Sequence, residues 1–291
     1  VEVVRSGPLT TVQDAGRRGV AALGVPGAGA LDQPARALAN RLVGNAPQAA
    51  VLETTLGGVA LRALAPLVAA VTGAPAPVRV DGRPAPWGAP LRLAAGAVLE
   101  LGAATDGVRG YVALDGGIDV PPVLGSRSAD LLSGLGPAPL TVGLRLPLGR
   151  PVGPPCWIEP LPQPAPPREL VLRLDLGPRD DWFAAGTPAL LAAARYQVSP
   201  ASNRIGLRLT GPPLTRLPGR GELPSEGMVL GAVQVPPDGL PVVFLADHPT
   251  TGGYPVVGVV PLADLAAAAQ ARPGTPVRFT PAAAPRRRPP G

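Results

Sequence analysis

Glycine and proline together fill more than one position in four, with 38 glycines and 42 prolines in 291 residues. They recur along the whole chain, so few stretches are long enough for an uninterrupted helix. A chain punctuated this way builds its core from short elements joined by turns. Such a composition alone would point to low complexity. The 46% hydrophobic and 16% charged content decides otherwise, because a chain this apolar can bury a sizeable core. The two facts together predict a mainly β protein with a few short helices.

Short apolar or alternating runs bounded by Gly or Pro predict seven strands in the first half: 1–4, 51–56, 59–62, 67–72, 77–81, 97–101 and 108–114. Six more follow, at 170–176, 205–210, 229–235, 241–246, 256–260 and 276–280. The run Pro236-Pro237-Asp238-Gly239 predicts a hairpin turn between two of them. Three helices are expected. Asp32 is placed to cap one whose apolar face is Ala35, Leu38, Ala39 and Leu42, with Gly44 past its end. The stretch 180–195 should be split by Gly186 and Pro188, and the third helix covers 262–271. Eight prolines between Pro147 and Pro166, then Pro167, mark a stiff connector. The expected organisation is a first β domain over 1–150, a proline-rich linker over 151–167, a second β domain over 168–281 and a disordered tail over 282–291.

All 26 basic residues are arginine. The absence of lysine excludes a Walker-A lysine, a Schiff base and a biotinyl-lysine on this chain. One cysteine excludes an internal disulfide, and one histidine excludes a multi-histidine metal centre. No segment reads as a membrane span or a signal peptide, so a cytoplasmic location is expected. The Arg286–Arg288 run has no accompanying aromatic motif and reads as a solvated terminus rather than a nucleic-acid patch.

Four glycine-dense segments hold the candidate site residues. In the first, Gln13 and Asp14 can hydrogen-bond an amide or ureido group and Arg17 can grip a carboxylate, unless Asp14 and Arg17 form a local ion pair. The second, Arg109–Ser128, reads as a strand, a Gly116-Gly117 turn and a polar loop. In the third, Arg204 enters a strand directly after a turn, placed either to meet a ligand or to pair with an acid across the strands. The fourth carries Glu226, Gln234 and the run Asp247–Pro255. Asp247 and Glu226 are the candidate proton handlers, and the backbone of Thr250, Thr251, Gly252 and Gly253 is the candidate anion cradle. Tyr254 borders it as a further contact. A Ser225-His248-Asp247 triad is disfavoured, because adjacent residues in an extended segment point opposite ways.

These motifs resemble the biotin-dependent carboxyltransferase family, whose members are also called allophanate hydrolase subunit 2, KipI antagonist (KipA) or the C subunit of 5-oxoprolinase. The resemblance rests on Thr10–Arg17, Gly24-Val25-Pro26, Leu31-Asp32, Gly116-Gly117-Ile118, Leu124–Ser128, Ser225-Glu226-Gly227, Gln234–Gly239 and Thr250–Pro255. It implies two tandem cyclophilin-like β-barrels. It also implies work in a complex with two partners. One is the B subunit, which is KipI-like (allophanate-hydrolase-subunit-1-like), and the other is the LamB/YcsF-like A subunit. That complex opens 5-oxo-L-proline to L-glutamate with ATP hydrolysis, the ATP bound by or shared with the partners. The alternatives it leaves open are a KipI-antagonist-type regulatory protein and a carboxyltransferase component of urea metabolism. A small amide or lactam is the expected substrate, with no nucleic acid or membrane partner and homo-oligomerisation left open. Within that reading Gln13, Arg204 and Gln234 recognise the ligand, and Asp247→Asn is expected to abolish activity with little change in Tm.

Overall fold

The computed structural model describes residues 1–157 and 162–281. The expected tail at 282–291, with Arg286–Arg288, and part of the expected linker lie outside the described residues. The first half runs through β1 (Glu2–Ser6), β2 (Leu9–Gln13), α1 (Gln33–Leu42), β3 (Val51–Thr55), β4 (Val59–Arg62) and β5 (Leu67–Gly73). It continues with β6 (Val78–Val80), β7 (Arg83–Ala85), β8 (Pro90–Leu93), β9 (Val98–Leu101) and β10 (Arg109–Leu114). These strands make two five-stranded sheets, ordered β1-β4-β9-β6-β7 and β2-β3-β10-β5-β8.

One apolar core lies between the sheets. Val3, Leu61 and Leu99 of one sheet pack with Val12, Leu52, Val71 and Val112 of the other. The second sheet is covered on its other face too, where Ala35, Ala39 and Leu42 of α1 meet Val51, Ala70, Tyr111 and Ala113. Burial on both faces explains why β10 is buried at all six positions and why its Gly110–Leu114 stretch reads as a continuous uncharged run instead of an alternating one. Helix α1 starts as expected, with the Asp32 carboxylate accepting from the Ala35 N–H at 3.0 Å. It stops at Gly44, whose φ of +74° is the left-handed conformation that suits glycine.

The second half comprises β11 (Leu170–Leu176), α2 (Thr187–Ala193), β12 (Tyr196–Val198), β13 (Gly206–Thr210), β14 (Glu226–Gly227) and β15 (Ala232–Gln234). Then follow β16 (Val242–Phe244), β17 (Thr251–Gly252), β18 (Val256–Val259), α3 (Leu262–Gln270) and β19 (Pro276–Pro281). Seven of these strands close into a barrel in the order β11-β18-β15-β16-β13-β12-β19. Closure brings the first and last strands together in parallel, from Leu170 opposite Val277 to Leu174 opposite Pro281. Leu172, Val233, Val243, Val257 and Phe279 fill the interior, and Leu31 of the first half packs into the same cluster.

The 180–195 stretch is split as expected, into a single 3-10 turn at Asp180–Trp182 and α2. Six strands lie outside the sequence expectation. β2 has four consecutive buried residues, two of them threonines, so it lacks the alternation that marks a strand. β7 and β8 contain Pro84 and Pro90 and sit at sheet edges, where a missing N–H is tolerated. β12, β14 and β17 are three residues or shorter. Leu99, 2% exposed between the two sheets, tests the shared core. Leu99→Ala is expected to lower unfolding free energy by about 2–5 kcal/mol in urea titrations, with an unchanged m-value.

Candidate functional site

Antiparallel pairing of β13 with β16 carries Arg204 and Asp247 past the strand ends side by side, and the Asp247 N–H donates to the Arg204 carbonyl at 3.0 Å. Asn203 sets the entry, its side-chain oxygen accepting from the Ile205 N–H at 2.8 Å. From there Arg204 reaches across the junction between the two halves. Its Nε and Nη2 donate to the two Asp247 oxygens at 2.9 and 2.8 Å, a two-point fork. Nη2 also donates to the Gly29 carbonyl at 2.7 Å, and Nη1 meets Glu53 Oε1. Arg204 is 2% exposed, Glu53 2% and Asp247 0%.

Glu53 is the carboxylate of the first half in this cluster, projecting from the middle of β3. Its other oxygen accepts from the Leu31 N–H at 2.8 Å and from the Tyr111 hydroxyl at 2.9 Å. Burial alone would raise the Glu53 carboxyl, but the guanidiniums of Arg204 and Arg109 and these two donors outweigh it and hold it below the usual range. Asp247 goes the other way. Burial, with the nearby carboxylates of Asp130 and Glu53, raises it against the pull of Arg204. Arg204 itself is held more firmly charged than usual, because the two carboxylates outweigh its desolvation.

The first and second glycine-dense segments interlock. Asp14 Oδ1 accepts from the Ser126 and Ser128 hydroxyls, both at 2.6 Å, and from the Gly16 N–H at 2.8 Å. Its Oδ2 accepts from the Arg127 N–H at 2.6 Å. Arg17 donates to the carbonyls of Val123 and Ser128, at 3.1 and 2.7 Å. The anticipated Asp14–Arg17 ion pair is therefore not the arrangement; each residue instead holds the 123–128 loop. Gln13 donates to Thr11 Oγ1 and the Ala129 carbonyl, both at 3.0 Å, while its own carboxamide oxygen is buried without a partner. The held loop runs on to Leu131, whose N–H points at Asp247 Oδ2 at 3.4 Å. Gln13, Asp14, Arg17, Arg204 and Asp247 thus belong to one junction.

The remaining candidates lie on the rim of the second barrel. Gln234, at the end of β15, donates to the Tyr254 carbonyl at 3.2 Å. Thr251 and Gly252 form β17 and pair with Gly227 and Glu226 of β14. Gly252 leaves room for the Gln234 carboxamide: a Cβ on it would lie 2.6 Å from Gln234 Nε2 and push that side chain aside. The Arg216 guanidinium stands over the Tyr254 ring at 5.6 Å, and His248 stacks on Phe244 with ring centroids 5.8 Å apart. Burial lowers the pKa of His248, so it is neutral near pH 7.

Three expectations change. Arg204 is not presented to an open cleft; it forms the cross-strand pair, extended to a second acid across the junction, and four of its five donors are engaged. Glu226 is paired with Arg179, which holds its carboxyl below the usual range and makes it a fixed anion rather than a proton shuttle. The Thr250–Gly253 segment is no anion nest, since none of its residues takes the left-handed backbone a nest requires.

Comparison with known proteins places this geometry. The profile described as "Carboxyltransferase domain, subdomain A and B" matches residues 23–281. The chain belongs to the carboxyltransferase-domain family. It is 39% identical to the 5-oxoprolinase C subunit of Escherichia coli, covering 96% of this chain and 90% of that one. With the Haemophilus influenzae protein of the same name the figures are 33%, 92% and 87%. It is 33% identical to urea amidolyase of Saccharomyces cerevisiae, but covers only 16% of it. Among solved structures, the Kluyveromyces lactis urea carboxylase superposes with a TM-score of 0.88 at 30% identity, covering 97% of this chain and 27% of that one. Another solved structure, 39% identical, gives 0.86 and is spanned to 56% of its length. The carboxyltransferase-domain chain thus spans between a quarter and about half of these longer structures.

For a carboxyltransferase-domain chain, the junction residues that sequence reasoning passes over are Glu53, Tyr111 and Gln270. Glu53 is legible in principle, as a lone carboxylate inside an otherwise uncharged strand, Val51-Leu52-Glu53-Thr54-Thr55. Asp247→Asn takes one carboxylate from the Arg204 fork and leaves Arg204 with Glu53 and the Gly29 carbonyl, so it is expected to cost about 1–3 kcal/mol in chemical denaturation, against the expectation of little change in Tm. An unaltered Tm would return Asp247 to the role of a free acid. Asp14 gives a pH test. Burial alone would raise its carboxyl, but its four donors hold it below the usual aspartate range. Its stabilising effect is complete above the unfolded-chain value, about pH 4, and is lost as pH falls through the lowered folded-state value. Asp14→Asn is expected to flatten the acid limb of a Tm-against-pH curve and leave a lower plateau near pH 7.

Proposed function

We propose that this chain is the C subunit of an ATP-dependent 5-oxoprolinase, acting in the cytoplasm on 5-oxo-L-proline only when joined to its A and B subunits. The observation that carries the reading is the end-to-end match with 5-oxoprolinase C subunits, against a small fraction of urea amidolyase.

The geometry supplies a role. A lactam presents a flat N–H and carbonyl pair. Gln13 and Gln234 each carry a carboxamide oxygen with no hydrogen-bond donor among the described residues, and an N–H is what such an oxygen needs. Gln234 lies beside the half-exposed rim of Tyr254 and β17, so it is the residue we assign to contact the substrate directly. Gln13 and Asp247 hold the 129–131 segment, through the Ala129 carbonyl and the Leu131 N–H. With no lysine and no backbone nest at Thr250–Gly253, these residues do not fit a triphosphate. The ATP phosphates are assigned to the partner subunits, and activation of the lactam carbonyl with them.

Co-purification with the A and B subunits and an assay of oxoproline-dependent ATP hydrolysis test the proposal. The complete complex is expected to turn over ATP only with oxoproline present; an assembled complex that does not would sink it. If omitting this chain leaves turnover unchanged while it still binds its B-type partner, the regulatory reading takes its place. If the chain binds a carboxybiotinylated carrier instead, the carboxyltransferase reading does. Gln234→Leu, assayed in the complex, is expected to raise KM for oxoproline roughly tenfold, as loss of one hydrogen bond to substrate implies, with only a small fall in Tm from the lost bond to the Tyr254 carbonyl.

A further inference from the structure

A cleft of about 930 Å³ lies between α1 of the first half and α3 of the second. Alanines make its walls: Ala35 and Ala37 from α1, Ala263, Ala266 and Ala267 from α3. The proline segment Pro164–Pro167 covers one side. Small side chains on two facing helices, roofed by proline rings, leave a slot suited to a flat apolar body, and the volume is in the range of small-molecule sites.

Its polar groups favour an anion. Among the described residues only two ionisable side chains line it, Asp32 and Arg41. The Asp32 oxygens are already engaged, by the Ala35 N–H at 3.0 Å and by Gln270 Nε2 at 2.9 Å. Arg41 is exposed and makes no ion pair among the described residues. Gln163 reaches into the slot from the proline segment, its Oε1 accepting from the Gly73 N–H at 2.9 Å, and its Nε2 is buried without an acceptor. A buried donor left unpaired costs about 1–3 kcal/mol. A guanidinium at the mouth and an unpaired amide donor inside call for an oxygen-rich, negatively charged group attached to an apolar body.

We propose that the α1–α3 cleft is a second ligand site, for a small flat apolar carboxylate whose charge is met by Arg41 and Gln163. Because its walls come from both halves, the ligand bridges them. Ligand that binds the docked arrangement stabilises it by mass action. The floor of the cleft also joins the buried junction: Gln270 bonds Asp32, the Asp32 N–H donates to the Tyr111 hydroxyl at 2.7 Å, and that hydroxyl donates to Glu53.

The probe is 2-naphthoate, titrated calorimetrically into the full chain, with neutral 2-naphthol as control. Naphthoate is expected to bind and to raise Tm with the logarithm of its concentration above Kd, and naphthol to bind at least tenfold more weakly. Arg41→Gln, a surface change, is expected to weaken naphthoate about tenfold while the ligand-free Tm stays put. Ala266→Trp fills the slot and is expected to abolish binding. Equal binding of naphthol and naphthoate, or naphthoate binding indifferent to Arg41→Gln, overturns the proposal, as does the absence of binding. Should Ala266→Trp fail to fold, the Arg41→Gln comparison decides alone. None of these readouts needs oxoproline turnover, so the proposed catalytic role stands or falls separately.

Discussion

A single guanidinium shared by two carboxylates from opposite halves determines how this chain is put together. Arg204 is almost wholly out of water, and so are Glu53 and Asp247. Removing three such charges from solvent is costly, and only close geometry with further donors offsets it. The donors are present: the Leu31 N–H and the Tyr111 hydroxyl on Glu53, and the Leu131 N–H facing Asp247, with the Gly29 carbonyl accepting from Arg204. Apolar contact between the halves is plastic by comparison. A bidentate fork with a third contact at its side admits one relative placement, which makes the cluster a device for orientation more than for stability.

That placement reaches the surface residues. The loop held by Asp14 and Arg17 ends at Asp247, and Asp247 starts the segment that carries His248, β17 and Tyr254. One stretch of chain, 247–254, thus runs from the buried junction to the rim where Gln234 and Tyr254 meet. The rim itself is built for close approach, with a glycine opposite Gln234 and an aromatic ring under Arg216. Rigid parts far from one another thus meet in one exposed polar edge.

Much of the fold can be read in the sequence. Strands with clear alternation or long apolar runs, such as β4 and β11, lie where periodicity places them, and α1 starts and stops on Asp32 and Gly44. Strands whose side chains are polar yet buried, as in β2, escape, because their burial is decided by partners more than a hundred residues away; Gln13 bonding Ala129 is one case. The candidate site is legible residue by residue but not by role. Arg204 and Asp247 stand out as charges beside glycine-rich turns, which fits a ligand contact and a buried pair equally well. What separates the two is Glu53, and its distance to Arg204 is a property of the folded chain alone.

The order of manufacture gives the barrel closure a further meaning. A ribosome delivers β10 long before β19, so the paired sheets can assemble while the second half is still unmade. The barrel, in contrast, is sealed by its first strand lying alongside its last and stays open until β19 emerges. Until Arg204 follows, 151 residues later, Glu53 has no guanidinium from the other half. A hydrated carboxylate then sits on the nascent first half, keeping that face wetted until its permanent counter-ion arrives.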